Sequence, residues 1–425
     1  MPGPPQDEVL AERFADIRDR RRADPAVLDE VHDLVLVVSS SRGGSTLLAE
    51  ILRGWPDLVG LPGEVNPYVV VAQLGASGRR EALAGELAAD LGRPADTLAI
   101  EGSDGAPADD FALQCAWRMA AQWPGVPLGT GEVTAGVDRV LADVPDVRFD
   151  DGGAAFTARL LDELGGAARG LDLRRYDVPG DDLGKPPAGP PADTVVEMTP
   201  YRLLRPWARA SAADLRERPV VLATPRNSFR IAHLASLFPQ ARLRLLHLTR
   251  NPAASVNGLV DGWLHHGFFN CRVDRPLSIR GYTDRFPGWG REWWKYDVPP
   301  GWEHVTDAPL PEVAALQWRT AHEAVLESVV IGGYDVHRLA YEDLVGPPEA
   351  RERVGRELGD WLGIGDVDGF TDRVRRGLAP VMATAPPAPG RWRRREADLV
   401  GVVADRRVLD VAETLGYPRD PDAWS

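Results

Sequence analysis

Cysteine is nearly missing from this chain. Cys115 and Cys271 are the only two in 425 residues, far apart and in no metal-ligand spacing, so neither a disulfide framework nor a zinc site is supported, and a reducing cytoplasm is the expected setting. Long apolar runs are missing too. No stretch approaches the roughly 18 residues that a membrane span needs, and the opening MPGPPQDEVLAERF lacks the basic-then-apolar order of a signal peptide. Positive charge is in deficit, with a formal net charge of −14, which argues against nucleic acid or an anionic membrane as a bulk partner while leaving room for small anions at local basic patches. What is present is a hydrophobic content of 44%, enough for a real core in one large α/β domain with insertions or in two ordinary domains. The heavy use of Ala, Arg, Gly and Pro suggests a GC-rich genome.

Residues 1–30 are charged, with RDRRR at 18–22, and read as a solvated N-terminal arm or surface helix. From 33 the run DLVLVVS predicts a buried parallel strand, and STLLAEIL after residue 44 carries apolar residues at helical spacing. Residues 31–72 thus open a core. Residues 73–195 read as a helical insertion, with REALAGELAADL, FALQCAWRMAAQW and AAFTARLLDELGGAA as its helices and the Pro/Gly-rich stretch 178–194 as a linker. The rest of the core, 196–425, resumes a βα rhythm: PVVLAT as strand, NSFRIAHLASLF as helix, RLRLLHLT as strand, PAASVNGLVDGWL as a helix with Pro252 in its first turn, a helix over about 312–330, and YDVHRLAY as strand. Strands alternating with helices imply a parallel central sheet covered on both faces, with ligands at the strands' carboxyl ends.

The first strand runs into Ser-Ser-Ser-Arg-Gly-Gly-Ser-Thr, residues 39–46. The start of a helix offers unpaired amides and the positive end of the dipole, so a tetrahedral anion is favoured there. Gly43 and Gly44 let the backbone curl close, Ser41, Ser45 and Thr46 add hydroxyls, and Arg42 adds fixed positive charge. The loop is not a Walker A motif, since the GxxxxGK[ST] spacing and its lysine are absent. A bare helix cap is the competing explanation. A second strand-to-helix junction, Thr249-Arg250-Asn251-Pro252, carries another arginine, and PGRWRRREADL surrounds Trp392 with Arg391, Arg393, Arg394 and Arg395. An indole beside guanidinium groups suits a purine with a phosphate nearby.

In this order the three elements resemble the sulfotransferases that use 3'-phosphoadenosine 5'-phosphosulfate (PAPS), over about 33–66 and 219–396. The resemblance implies a P-loop NTPase-like sulfotransferase fold and a sulfuryl transfer from PAPS, as co-substrate and without a metal, to a hydroxyl of a small molecule or glycan. It implies that Ser41 to Thr46 hold the phosphosulfate, with Arg42 at the leaving oxygen, that Arg250 takes the 3'-phosphate, and that Arg391, Trp392 and Arg393 belong to a loop closing over the nucleotide. LAYEDLV at 339–345 resembles a frequent structural motif of the same fold. The chain departs from the family at Gly258, where a serine is usual and Asn257 or Ser255 is the nearby substitute, and at Ala223, where a lysine is frequent and Arg226 is the alternative cation.

The acceptor hydroxyl needs a base. Glu64 in LPGEVNPY is the first candidate, supported by the resemblance to bacterial members with a glutamate in that region, and His265 or His266 in GWLHHGFF is the second. His247, inside a strand, reads as a core histidine. Trp289, Trp293, Trp294, Tyr296 and Trp302 crowd one segment and either line an acceptor pocket or pack the core. Two other functions stay open: a kinase-like P-loop phosphotransferase, disfavoured by the missing lysine, and a nucleotide-binding module without turnover.

Overall fold

The computed structural model describes residues 6–74, 78–95, 97–98, 107–143, 149, 151–166, 170–176, 194–198, 201–265, 268–378 and 383–424. Eight strands are present among them: β1 Asp33–Val38, β2 Gly92–Pro94, β3 Trp207–Arg209, β4 Val220–Ala223, β5 Arg242–Thr249, β6 Asn270–Arg272, β7 Trp293–Lys295 and β8 Asp335–Ala340. Four of them form the central sheet in the order β4-β1-β5-β8, every pair parallel. The other four make two short antiparallel ribbons, β2 with β3 and β6 with β7. The α/β arrangement with a parallel sheet is the one the strand–helix alternation predicts.

The inner strands are apolar on both faces because both faces are covered. Leu34, Leu36 and Val38 of β1 join Val220, Leu222 and Leu245 in one core, which is completed by helices α1 Gln6–Arg21, α3 Asn66–Leu74, α4 Arg79–Asp90, α5 Ala108–Gln122, α6 Thr130–Asp143 and α7 Ala154–Glu163. Val35 and Val37 point the other way, with Leu246 and Leu248, into a core shared with α2 Ser45–Leu52, α13 Pro348–Leu362 and α14 Val367–Arg376. A third core lies between α10 Pro252–Trp263, α11 Leu310–Gly332, the β6–β7 ribbon, α15 Glu396–Val403 and α16 Arg406–Thr414. The helices of the 73–195 region therefore close one face of the sheet directly.

Two expectations change. The charged N-terminal stretch is not a solvated arm: α1 sets Leu10, Phe14 and Ile17 into the core, and Arg21, 5% exposed, bridges Asp90 at 2.8 Å and Asp110 at 3.3 Å. The pattern that reads as solvent-facing charge there serves a buried ion network, and removing one partner of such a pair typically costs about 3–5 kcal/mol. NSFRIAHLASLF is not one helix but a 3-10 turn, Pro225–Phe229, followed by a short helix, Ile231–Ala235; Asn227 turns its amide inward to the carbonyls of Val37 and Leu222 instead of continuing helical geometry. Of the two alternatives for the tryptophan segment, packing holds: Trp293 and Trp294 lie buried in β7, and Trp294 packs edge-on to Trp263. The 178–194 linker lies outside the described residues.

Candidate functional site

The carboxyl ends of β4, β1, β5 and β8 open into one cavity of about 710 Å³. Its floor is the β1–α2 loop. Arg42 adopts φ 64° and Gly44 φ 101°, and Gly44 is the N-cap of α2 without any side-chain hydrogen bond to the helix start. The first helical bond runs from the Leu48 amide to the Gly44 carbonyl, so the amides of Ser45, Thr46 and Leu47 precede the intrahelical ladder. Gly43 differs: its amide donates to the Ser40 carbonyl at 3.0 Å, and it does not line the cavity, whereas Ser41, Arg42, Gly44, Ser45 and Thr46 do. The Ser40 hydroxyl is buried under the loop with no partner. Arg42 lies over the Phe268 ring, 4.5 Å from its centroid.

The β5–α10 junction sits beside it. Arg250 lines the cavity, donates from Nη1 to the Arg42 carbonyl at 3.2 Å and rests on the Tyr341 ring, 4.5 Å from the centroid. Burial pulls its pKa below the ordinary arginine value. Asn251 caps α10 by accepting from the Ala254 amide at 2.8 Å. Gly258 of α10 faces Arg42, and a Cβ built there would stand 3.4 Å from the Arg42 Cβ. A Cβ there makes ordinary van der Waals contact, and nothing in the structure explains the glycine in place of the family serine. Asn257 lines the cavity and accepts a hydrogen bond from Arg395, while the Ser255 hydroxyl turns back toward the Arg250 carbonyl at 3.5 Å.

The C-terminal cluster divides. Arg391 and Trp392 line the cavity, Arg391 held by Asp261 at 2.7 Å and Trp392 buried. Arg395 reaches the same Asp261 at 2.8 Å. Arg393 points away, exposed, and pairs with Asp422 and Glu396 at 3.4 Å each. Its guanidinium covers the outer face of Trp392.

On the β4 side stands Glu64, half-buried in the cavity wall, accepting from the Thr224 hydroxyl at 3.0 Å. Burial pushes its pKa up, against the Thr224 hydrogen bond and the more distant Arg202 and Arg53. No arginine is within ion-pair distance of it among the described residues. The other carboxylates nearby are engaged: Asp297 binds the Ser41 hydroxyl at 2.7 Å and Arg226 at 3.1 Å, and Glu197 binds Arg118 at 2.8 Å. Arg226 is thus locked to the β6–β7 ribbon, where it also donates to the Tyr296 carbonyl at 2.8 Å.

His266 lies outside the described residues. His265 packs against Phe268 at 5.0 Å between centroids and is not among the lining residues. His247 is core, 1% exposed, and shares a 2.9 Å hydrogen bond with His322. Sequence reasoning missed Thr224, Asp261, Asp297 and Tyr341. Only Tyr341 carried a local signal, in LAYEDLV; the others act across 134 to 256 residues of chain. Among the described residues no group of three or more His, Cys, Asp or Glu could hold a metal ion, and no helix is long and apolar enough to cross a membrane.

No family model matches the chain, and no curated protein does. Among solved structures, the sulfotransferase domain from the curacin biosynthetic pathway is similar to it at 14% identity and a TM-score of 0.37, over 91% of this chain and 99% of that one. At that identity and score the likeness carries no argument about activity.

Proposed function

We propose that this chain is a PAPS-dependent sulfotransferase that moves a sulfuryl group to a hydroxyl of a small molecule or glycan, with Glu64 as the general base. The observation that carries the reading is convergence: the open start of α2 with Arg42, Arg250, Arg391 and Glu64, drawn from four separate stretches of sequence, line one cavity. The residues fit the donor. The α2 amides and Arg42 form one anion site, and Arg250, which has no carboxylate within ion-pair distance among the described residues, forms a second beside it. A nucleotide phosphorylated at both ends matches two such sites.

PAPS, when bound, supplies the sulfuryl group and leaves as 3',5'-adenosine bisphosphate. The chain's own residues do the rest. Arg42 and the amides of Ser45, Thr46 and Leu47 stabilise negative charge that grows on the departing phosphate oxygen. Glu64 takes the proton of the acceptor hydroxyl as its oxygen bonds to sulfur, and a carboxylate with a raised pKa is the better base for that step. Thr224 orients it. The kinase-like alternative finds no lysine in the loop, and no observation favours it.

The test is transfer of label from [35S]PAPS to a panel of phenols, alkanols and sugars. Wild type is expected to label at least one acceptor, and Glu64→Gln to lose labelling while still binding 3',5'-adenosine bisphosphate. Full labelling by Glu64→Gln would remove Glu64 from the role.

A further inference from the structure

Tyr341 belongs to neither the phosphosulfate loop nor the base, yet it touches both anion sites. It begins the short helix after β8, and its ring stands in the cavity wall. On one side it presses on Gly44: a Cβ there would lie 2.3 and 2.5 Å from Cδ2 and Cε2 of the ring. Only glycine satisfies both this approach and the φ of 101°. On another side the ring carries the Arg250 guanidinium at 4.5 Å, and the same guanidinium donates to the Arg42 carbonyl at 3.2 Å.

Among the described residues no carboxylate lies within ion-pair distance of Arg250. Glu342, the next residue, is the natural partner for Arg250, but its Oε1 accepts from the Asn251 amide and side chain at 2.9 Å each, and its Oε2 from the Tyr417 hydroxyl at 3.0 Å. Arg250 is therefore held in place by a π-face and a carbonyl. A carboxylate would orient a guanidinium just as well but would cancel the charge an incoming phosphate needs; an aromatic face orients it and leaves the charge available.

We propose that Tyr341 is a positioning residue for 3'-phosphate recognition, fixing Arg250 against the phosphosulfate loop so that affinity for the 3'-phosphate depends on its aromatic ring. This rests on the PAPS reading above.

The experiment is calorimetry on the full chain without metal, comparing 3',5'-adenosine bisphosphate with adenosine 5'-phosphate on wild type, Tyr341→Phe and Tyr341→Leu. The expected result is a loss of about tenfold in bisphosphate affinity for Tyr341→Leu, with adenosine 5'-phosphate affinity moving less than about twofold. Tyr341→Phe keeps the wild-type ratio of the two affinities, because it keeps the ring. Equal weakening of both nucleotides in Tyr341→Leu, or an unchanged ratio, overturns the inference while leaving the donor reading intact. No preference for the bisphosphate in wild type overturns the PAPS reading itself, and the inference with it. Should Tyr341→Leu not fold, Tyr341→Met, flexible and without a π-face, is read by the same criteria.

Discussion

The two strand-to-helix junctions that meet in the cavity share a topology and differ in how they are finished. After β1, the helix is capped by Gly44 with no side chain reaching its amides, so the backbone itself is left to receive a ligand. After β5, Asn251 takes the Ala254 amide and Pro252 removes a donor, so fewer backbone amides stay open and the junction contributes the Arg250 side chain instead. One fold element, used twice, thus gives a backbone cradle and a side-chain clamp. The difference lies in Gly44 on one side and in Arg250, Asn251 and Pro252 on the other.

The largest effect is expected away from both junctions, as the control on what they do. Glu64→Gln should lower transfer about 10²–10⁴-fold and leave nucleotide affinity intact. The pH dependence has a definite sign: because burial raises the Glu64 pKa, the active carboxylate is lost as pH falls through a value above the ordinary 4.5, so the acid limb of the rate profile lies higher than for an exposed glutamate and disappears in the variant. Next come the grips. Arg42→Ala and Arg250→Ala should each weaken 3',5'-adenosine bisphosphate about 10–100-fold by titration calorimetry, and only Arg250→Ala should abolish the preference for a 3'-phosphate. Asn251→Ala sharpens the contrast by opening the second cap. It should cost about 1 kcal/mol of stability, read as a lower thermal midpoint, because the Ala254 amide loses its acceptor. The smallest effect is predicted at Arg393: its replacement by alanine should change nucleotide affinity less than about twofold, since the side chain pairs with Asp422 outside the cavity.

The parts of this site that were legible in the sequence are those written in short-range pattern. The apolar run of β1, the Gly-Gly-Ser-Thr turn into α2, the whole of β5 and Pro252 at the start of α10 are local signals, and the structure places them where the pattern does. The rest depends on partners far along the chain. Arg21 reads as surface charge until Asp90 and Asp110 are brought beside it. Arg226 reads as a free cation near the donor until Asp297 claims it, and the arginines at 391–395 look equivalent until Asp261 selects Arg391 and Arg395 and leaves Arg393 to solvent. Nothing in a window of ten residues records such choices.

The most direct measurement is calorimetric binding of 3',5'-adenosine bisphosphate in the absence of metal, with ADP as the control ligand, to wild type, Arg42→Ala and Arg250→Ala. Two anion grips serving one bisphosphorylated nucleotide predict metal-independent binding that favours the 3'-phosphate and collapses in both variants. Tighter binding of ADP with magnesium, or no binding of either nucleotide, would contradict it.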